Sequence, residues 1–174
     1  MRKMYLSAPL PFVGQKRMFA KEFMKVLEQY PDGTLFVDLF GGSGLLSHIT
    51  KSLKPHSTVI YNDFDNYRFR MKHIPQTNQL LADIREMVGN SVPRHKIIKG
   101  ELRERIFSRI EQEENSTGYV DFITLSSSIL FSMKYKLSVQ DMRKEALYNN
   151  IRKTGYPECT DYLEGLEIVS CDYK

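Results

Sequence analysis

The chain has 174 residues, a formal net charge of +4 and a sequence pI near 9.0, with 41% apolar and 26% charged residues. That balance is ordinary for a folded globular chain and permits nucleic-acid binding without requiring it. No signal peptide and no apolar run of about 18 residues is present, so a membrane span is not expected. Cys159 and Cys171 lack any metal-ligand spacing, which reads as two reduced thiols in a cytoplasmic protein.

Between Gln15 and Tyr30, the residues Met18, Phe19, Phe23, Val26, Leu27 and Tyr30 fall on one helical face, and Pro31-Asp32-Gly33 ends that helix in a turn. The run Leu35-Phe36-Val37-Asp38-Leu39 reads as a buried strand entering a glycine turn. Apolar residues at helical spacing follow over 45–53, and a second strand over 58–61 delivers Asn62-Asp63-Phe64-Asp65. From Tyr67 the pattern is helical through residue 159. Pro75 breaks its first piece, and Thr77 or Asn78 caps the segment holding Leu80, Leu81, Ile84 and Met87. Ile98, Leu102, Ile106 and Ile110 repeat at four-residue spacing, Asn115-Ser116-Thr117-Gly118 reads as a loop, and 120–133 as a buried helix. Asp141 caps a last helix carrying Met142, Leu147 and Ile151, after which 166–170 returns to the sheet. The predicted organisation is an α/β portion formed by 1–66 and 160–174, interrupted by a helical insertion over 67–159.

The strand-to-glycine turn carries chemistry. Gly41, Gly42 and Gly44 let the main chain reach positive φ and let a ligand lie against bare peptide. Asp63, nineteen residues past Gly44, ends the next strand where a parallel sheet holds the two hydroxyls of a ribose. A lone glycine turn can be only a tight corner; the second acid speaks for a nucleoside pocket. The third glycine of the dinucleotide fingerprint is missing, since Leu45, Leu46 and Ser47 follow Gly44. A carboxylate at Asp38 repels a pyrophosphate and suits the ammonium group of an amino-acid moiety. These features favour S-adenosyl-L-methionine over NAD.

Two further segments make a resemblance specific. Ala8-Pro9-Leu10-Pro11-Phe12-Val13-Gly14-Gln15-Lys16 resembles the N-terminal cofactor motif of the Dam-like DNA adenine-N6 methyltransferases, with Gln15 where a glycine is usual. Val169-Ser170-Cys171-Asp172-Tyr173 resembles that family's strand-end acid and aromatic. The motifs occur in the family's order, and the region between 66 and 160 matches in outline. The resemblance implies a Rossmann-like α/β sheet, incomplete here, with an inserted helical DNA-recognition domain. It places Phe12 and Lys16 at the methionine end, Asp38 on the ammonium group, and Phe40, Gly41, Gly42, Ser43 and Gly44 along the cofactor. Asp63 then takes the ribose diol, Asp172 the adenine amino group and Tyr173 the adenine ring. Asp65 is a lesser candidate that caps the next helix. The family's catalytic Asp-Pro-Pro-Tyr is absent from the 174 residues, where no two prolines are adjacent. In such enzymes it orients the flipped base. No catalytic residue is assigned, and the chain alone is expected to be inactive.

Within the insertion, Arg94, His95, Lys96 and Lys99 begin a basic run continued by Arg103, Arg105 and Arg109, but interleaved glutamates read as a self-paired helix face. Lys134, Lys136, Arg143, Arg152 and Lys153, with tyrosines between them, are the candidates for contact with double-stranded DNA. His48 reads as a satisfied surface or core histidine, and Ser126-Ser127-Ser128 as hydroxyls bonded back into their own helix. Two other classes stand beside the methyltransferase. One is a non-catalytic module that binds DNA or completes a partner, and the other is an NAD-binding Rossmann oxidoreductase. With no strand after 166–170, the run 35–39 is expected to form an exposed apolar edge that self-associates or takes a complementary polypeptide.

Overall fold

A computed structural model gives the structure of the chain and describes residues 3–14, 16–131 and 134–172. After a 3-10 turn at Lys16–Phe19, the elements are α1 (Ala20–Glu28), β1 (Phe36–Asp38), α2 (Leu45–Leu53), β2 (Val59–Asn62), α3 (Tyr67–Lys72) and α4 (Ile74–Val88). There follow β3 (Ile97–Ile98), α5 (Gly100–Thr117), α6 (Phe122–Ile129), α7 (Val139–Arg143), β4 (Leu147–Tyr148) and β5 (Glu167–Val169). Two compact units result, Met1–Lys72 with Glu158–Lys174, and His73–Pro157. In this division α3 belongs to the first unit, where Tyr67 and Arg70 are buried.

The first unit is a parallel sheet in the order β1-β2-β5. Phe36 of β1 packs with Phe23 and Met24 against a core of Ala20, Leu27, Leu45 and Ile49, so α1 and α2 cover one face of the strand. Each leucine or isoleucine of that core contributes ~1.5–3 kcal/mol on full burial. The helical face expected over 15–30 is only partly buried: Met18 and Phe19 are 81% and 67% exposed, and Val26 also faces outward. The cause is the 3-10 turn before Ala20, whose tighter pitch puts 18 and 19 out of phase with 23 and 27. Of the surface and core alternatives His48 takes the core: it is buried, its Nδ1 lies 2.7 Å from the carbonyl of Tyr162, and its Nε2 accepts the N–H of Tyr5 at 2.9 Å. The Nδ1–H tautomer satisfies both bonds and ties the N-terminal segment to α2.

The second unit packs α4 against α5, with Leu80, Leu81, Ile84, Ile106, Phe107 and Ile110 fully or almost fully buried. It is not wholly helical, because Ile97–Ile98 and Leu147–Tyr148 pair antiparallel. Leu147 therefore leaves the helix expected after Asp141, and that helix is capped by Ser138, whose Oγ accepts the N–H of Asp141 at 3.1 Å. Pro75 sits in the first turn of α4, where a missing N–H costs nothing, so it begins the helix and does not break it. Neither Thr77 nor Asn78 is its cap. Asn78 instead bonds both backbone groups of Tyr156, at 2.7 and 2.9 Å. The expected loop at 115–118 is the last turn of α5, which Gly118 closes at φ 72°. The buried helix expected over 120–133 is α6, beginning at an Asp121 cap whose side chain accepts the N–H of Thr124. Residues 132–133 lie outside the described residues. Ser127 and Ser128 donate to the carbonyl of Thr124, the back-bonding expected, whereas the Oγ of Ser126 leaves its helix and accepts the N–H of Lys136 at 3.0 Å. Among the described residues no helix is long and apolar enough to cross a membrane.

Candidate functional site

The site lies at the carboxyl ends of β1 and β2, where open parallel sheets bind ligands. Tyr61, wholly buried on β2, rises beneath the glycine turn and donates its hydroxyl to the carbonyl of Gly42 at 2.7 Å. Tyr162 likewise donates to the carbonyl of Ser43 at 3.1 Å. Two buried phenols thus fix successive peptide planes, and trans planarity turns the N–H of Ser43 away from Tyr61. Burial pushes both hydroxyls well above the usual phenol range, so they remain donors. Gly41 is required by this packing, since a Cβ there would stand 2.2 Å from the ring of Tyr61. Gly42, at φ 52°, would bring a Cβ to 2.9 Å from Phe12. Sequence spacing named the glycines and missed Tyr61 and Tyr162, which read as ordinary core residues.

A second clip holds the strand ends together. Asn62 donates to the carbonyls of Leu39 and Cys171, at 3.2 and 3.1 Å, and accepts the N–H of Cys171 at 2.9 Å. Segment 10–12 is fastened from α3: Tyr67 bonds both backbone groups of Leu10, and Arg70 donates to the carbonyl of Pro11 at 2.8 Å. Phe12, edge-on to Tyr67 at 5.8 Å, is thereby held over Gly42.

A cavity of about 360 Å³ opens above the turn. Phe12, Lys16, Phe40, Gly41, Gly42 and Ser43, all named as candidates above, line it, and Val13, Gly14, Phe64 and Asp65 complete the wall. Its size falls within the ~300–1,000 Å³ typical of small-molecule sites. Gly44 does not line the cavity; at φ 70° it starts α2. Asp38 stands one ion pair back: its Oδ2 accepts the hydroxyl of Ser47 at 2.7 Å, and its Oδ1 is 3.7 Å from the ammonium of Lys16. Lys16 also donates to the carbonyl of Phe40.

Of the two acids after β2, it is Asp63 whose side chain meets the start of the next helix. Asp63 is only 5% exposed, and its carboxylate accepts the N–H of Tyr67 at 2.6 Å, the N–H of Arg68 at 2.9 Å and the hydroxyl of Tyr61 at 3.1 Å. Burial pushes its carboxyl above the usual range, while those donors act in the opposite direction. It caps α3, and its oxygens are committed there. Asp65, expected to be the cap, is exposed and lines the cavity. Asp172 is exposed beyond β5 and is not part of the lining. Tyr173 and Gln15 lie outside the described residues.

In the second unit most of the named cations are already paired. Lys134 and Lys136 both reach Glu145, at 2.5 and 3.0 Å, and Arg143 joins Glu104 and Glu111 at 2.7 and 2.9 Å. Arg152 and Lys153 are exposed, and the guanidinium of Arg152 lies 4.5 Å above the ring of Tyr156. Near them Arg94 donates to the carbonyl of Ile151, and Arg85 to that of Arg152. With Lys96 and Lys99 these form a basic surface in which Glu86 is the one acid of the segments 85–99 and 149–156. Among the described residues no three His, Cys, Asp or Glu side chains converge as a metal site.

The chain is 41% identical over 173 residues, 97% of its length, to a protein of Haemophilus influenzae named "Putative methyltransferase". It spans 57% of that protein's length. No family model matches the chain, and no solved structure matches it.

Proposed function

We propose that this chain holds the S-adenosylmethionine site and a DNA-facing unit of a DNA adenine-N6 methyltransferase, on a Rossmann-like sheet. One observation carries the reading. A bare glycine turn, three phenylalanines, a lysine and a carboxylate surround one cavity at the ends of parallel strands, in a chain resembling a protein named as a methyltransferase. Asp65 takes the ribose diol and Phe64 packs beside the adenine, in place of the Asp63 that the spacing favoured. Gly42 and Ser43 lie along the cofactor, Phe12 and Phe40 enclose it, and Asp172 and Tyr173 are assigned to the adenine edge. The ammonium group meets Oδ1 of Asp38, and Lys16 turns to the ligand's carboxylate. When bound, the cofactor supplies a methyl group activated by a sulfonium.

The chain's own residues bind and orient. No group among them matches the family element that positions the target amine, a contribution worth up to ~7–11 kcal/mol. The chain by itself is therefore proposed to bind both ligands and to transfer no methyl group. Calorimetric titration with S-adenosylmethionine and with NAD tests the cofactor assignment. Saturable S-adenosylmethionine binding with no NAD response is expected, and the reverse pattern would favour the oxidoreductase class.

A further inference from the structure

The strand that leads into the glycine turn does little to hold it. Leu35, Val37 and Leu39, expected to be buried, are 60%, 54% and 56% exposed. The fixed points of the turn lie behind it, in the carbonyls taken by Tyr61 and Tyr162. Tyr61 is set by its place on β2, which is paired on both sides. Tyr162 belongs to no helix or strand, so another group must fix its ring.

That group is His48, wholly buried in the first turn of α2. Its ring lies flat on the ring of Tyr162, with centroids 4.7 Å apart and planes 11° from parallel. Its Nδ1 is 2.7 Å from the carbonyl of the same residue. One imidazole thus holds both the face and the backbone of Tyr162, and the phenol is aimed at the carbonyl of Ser43. Leu163, next in the chain, fills the space that a Cβ on Gly44 would need, 3.0 Å away.

The other nitrogen of His48 faces the N-terminal segment. Nε2 accepts the N–H of Tyr5 at 2.9 Å; the Oγ of Ser52, 3.4 Å from the same atom, gives its proton to the carbonyl of His48 at 2.8 Å. The ring of Tyr5 leans on His48 and Tyr162, at 5.3 and 5.8 Å between centroids, and its hydroxyl donates to Asp161 at 2.7 Å. Further along, the same segment lays Phe12 against Gly42. The floor of the cavity at Ser43 and the segment that covers it are both tied to one buried ring. A neutral imidazole donates on one side and accepts on the other while stacking on a phenol. A position that needed only packing would take an apolar side chain.

We propose that His48 is a positioning residue for the cofactor turn: through Tyr162 it fixes the Ser43 carbonyl, and through Tyr5 it docks the segment that covers the cavity. Its effect on cofactor affinity rests on the function proposed above, whereas the linkage itself is read without cofactor.

Hydrogen exchange on the full chain reads two amides. One is that of Gly44, whose bond to the carbonyl of Gly41 at 2.8 Å closes the turn, and the other is that of Tyr5. The side-chain amide of asparagine reaches only the place of Nδ1, and that of glutamine only the place of Nε2. His48→Gln is expected to speed exchange at Gly44 about three- to tenfold and to keep Tyr5 protected, and His48→Asn to do the reverse. Tyr162→Phe keeps every ring and cuts the last link, so it is expected to speed Gly44 as His48→Gln does; it carries the test alone if the histidine variants fail to fold. Added to His48→Gln it causes no further change, because both cut one path. Titration with S-adenosylmethionine is expected to show the same loss of affinity, about three- to tenfold, for His48→Gln, Tyr162→Phe and the pair. Unchanged Gly44 exchange in Tyr162→Phe, effects that sum in the pair, or both amides loosened alike in each histidine variant would overturn the proposal. A wild-type chain that binds no S-adenosylmethionine, with exchange as expected, would overturn the cofactor role and uphold the linkage.

Discussion

Tyr61 acts on three neighbours: it packs under Gly41, and its one hydroxyl proton is shared between the carbonyl of Gly42, at 2.7 Å, and the carboxylate of Asp63, at 3.1 Å. Gly41→Ala drives a methyl group into the ring, and overpacking of this kind costs ~1–3 kcal/mol. Thermal unfolding is expected to show a lower midpoint for Gly41→Ala. For Gly14, where no atom lies within 4 Å of a built Cβ, only the smaller penalty of a positive φ is expected. Tyr61→Phe keeps the packing and removes the shared hydroxyl hydrogen bond, worth about 0.5–1.5 kcal/mol. It is expected to destabilise mildly and to weaken cofactor binding more, because the Gly42–Ser43 peptide loses its anchor; denaturation and calorimetry together separate the two effects. The glycines were legible in the sequence because positive φ and close approach select them. Tyr61 was not, since an alternating strand position looks the same whether its hydroxyl bonds a turn or meets water. The capping by Asp63, and the exposure of Asp65 on the cavity wall, were equally hidden. Two acids two residues apart differ in role only through where α3 begins.

At the scale of elements, the charges of the second unit form networks between segments distant in sequence. Glu145 joins Lys134 and Lys136, and Glu104 joins Arg143 and Arg103. The neighbouring ammonium groups hold the carboxyl of Glu145 below its usual range, and the guanidinium groups of Arg143 and Arg103 do the same for Glu104. A lowered folded value means that the stabilisation is present above the unfolded value, near pH 4.3, and is lost as pH falls through the folded one. Acid titration of unfolding is expected to show Glu145→Gln less stable than wild type at neutral pH, with the gap closing in acid and in high salt. Alternation of charge along α5 was visible in the sequence. The Arg143 pairing was not, because its partners lie 39 and 32 residues away on another helix. The β3–β4 pair escaped for a related reason: two-residue strands carry no period, and their pairing is fixed by the fold around them.

At the scale of the molecule, the parallel strands, α2 and the glycine turn were readable from hydrophobic pattern and punctuation, while the place of α3 in the first unit depended on its packing. The basic surface of the second unit yields a test of the DNA assignment. Arg94→Ala, Arg152→Ala and Lys153→Ala are each expected to weaken binding to mixed-sequence duplex and to lower the salt slope by about one. Lys134→Ala, whose ammonium is held on Glu145 at 2.5 Å, is expected to change the slope less than those three. Fluorescence anisotropy across a salt series distinguishes these outcomes.

The measurement that bears most directly on the cofactor pocket compares Asp65→Ala with Asp63→Ala, each by S-adenosylmethionine calorimetry and thermal unfolding. Losing a charge-assisted contact of about 1.5–3 kcal/mol weakens binding roughly ten- to a hundredfold. The account predicts that loss for Asp65→Ala with the unfolding midpoint kept, and a lowered midpoint for Asp63→Ala as the cap of α3 goes. Unchanged affinity in Asp65→Ala, or the affinity loss in Asp63→Ala at an unchanged midpoint, would contradict it.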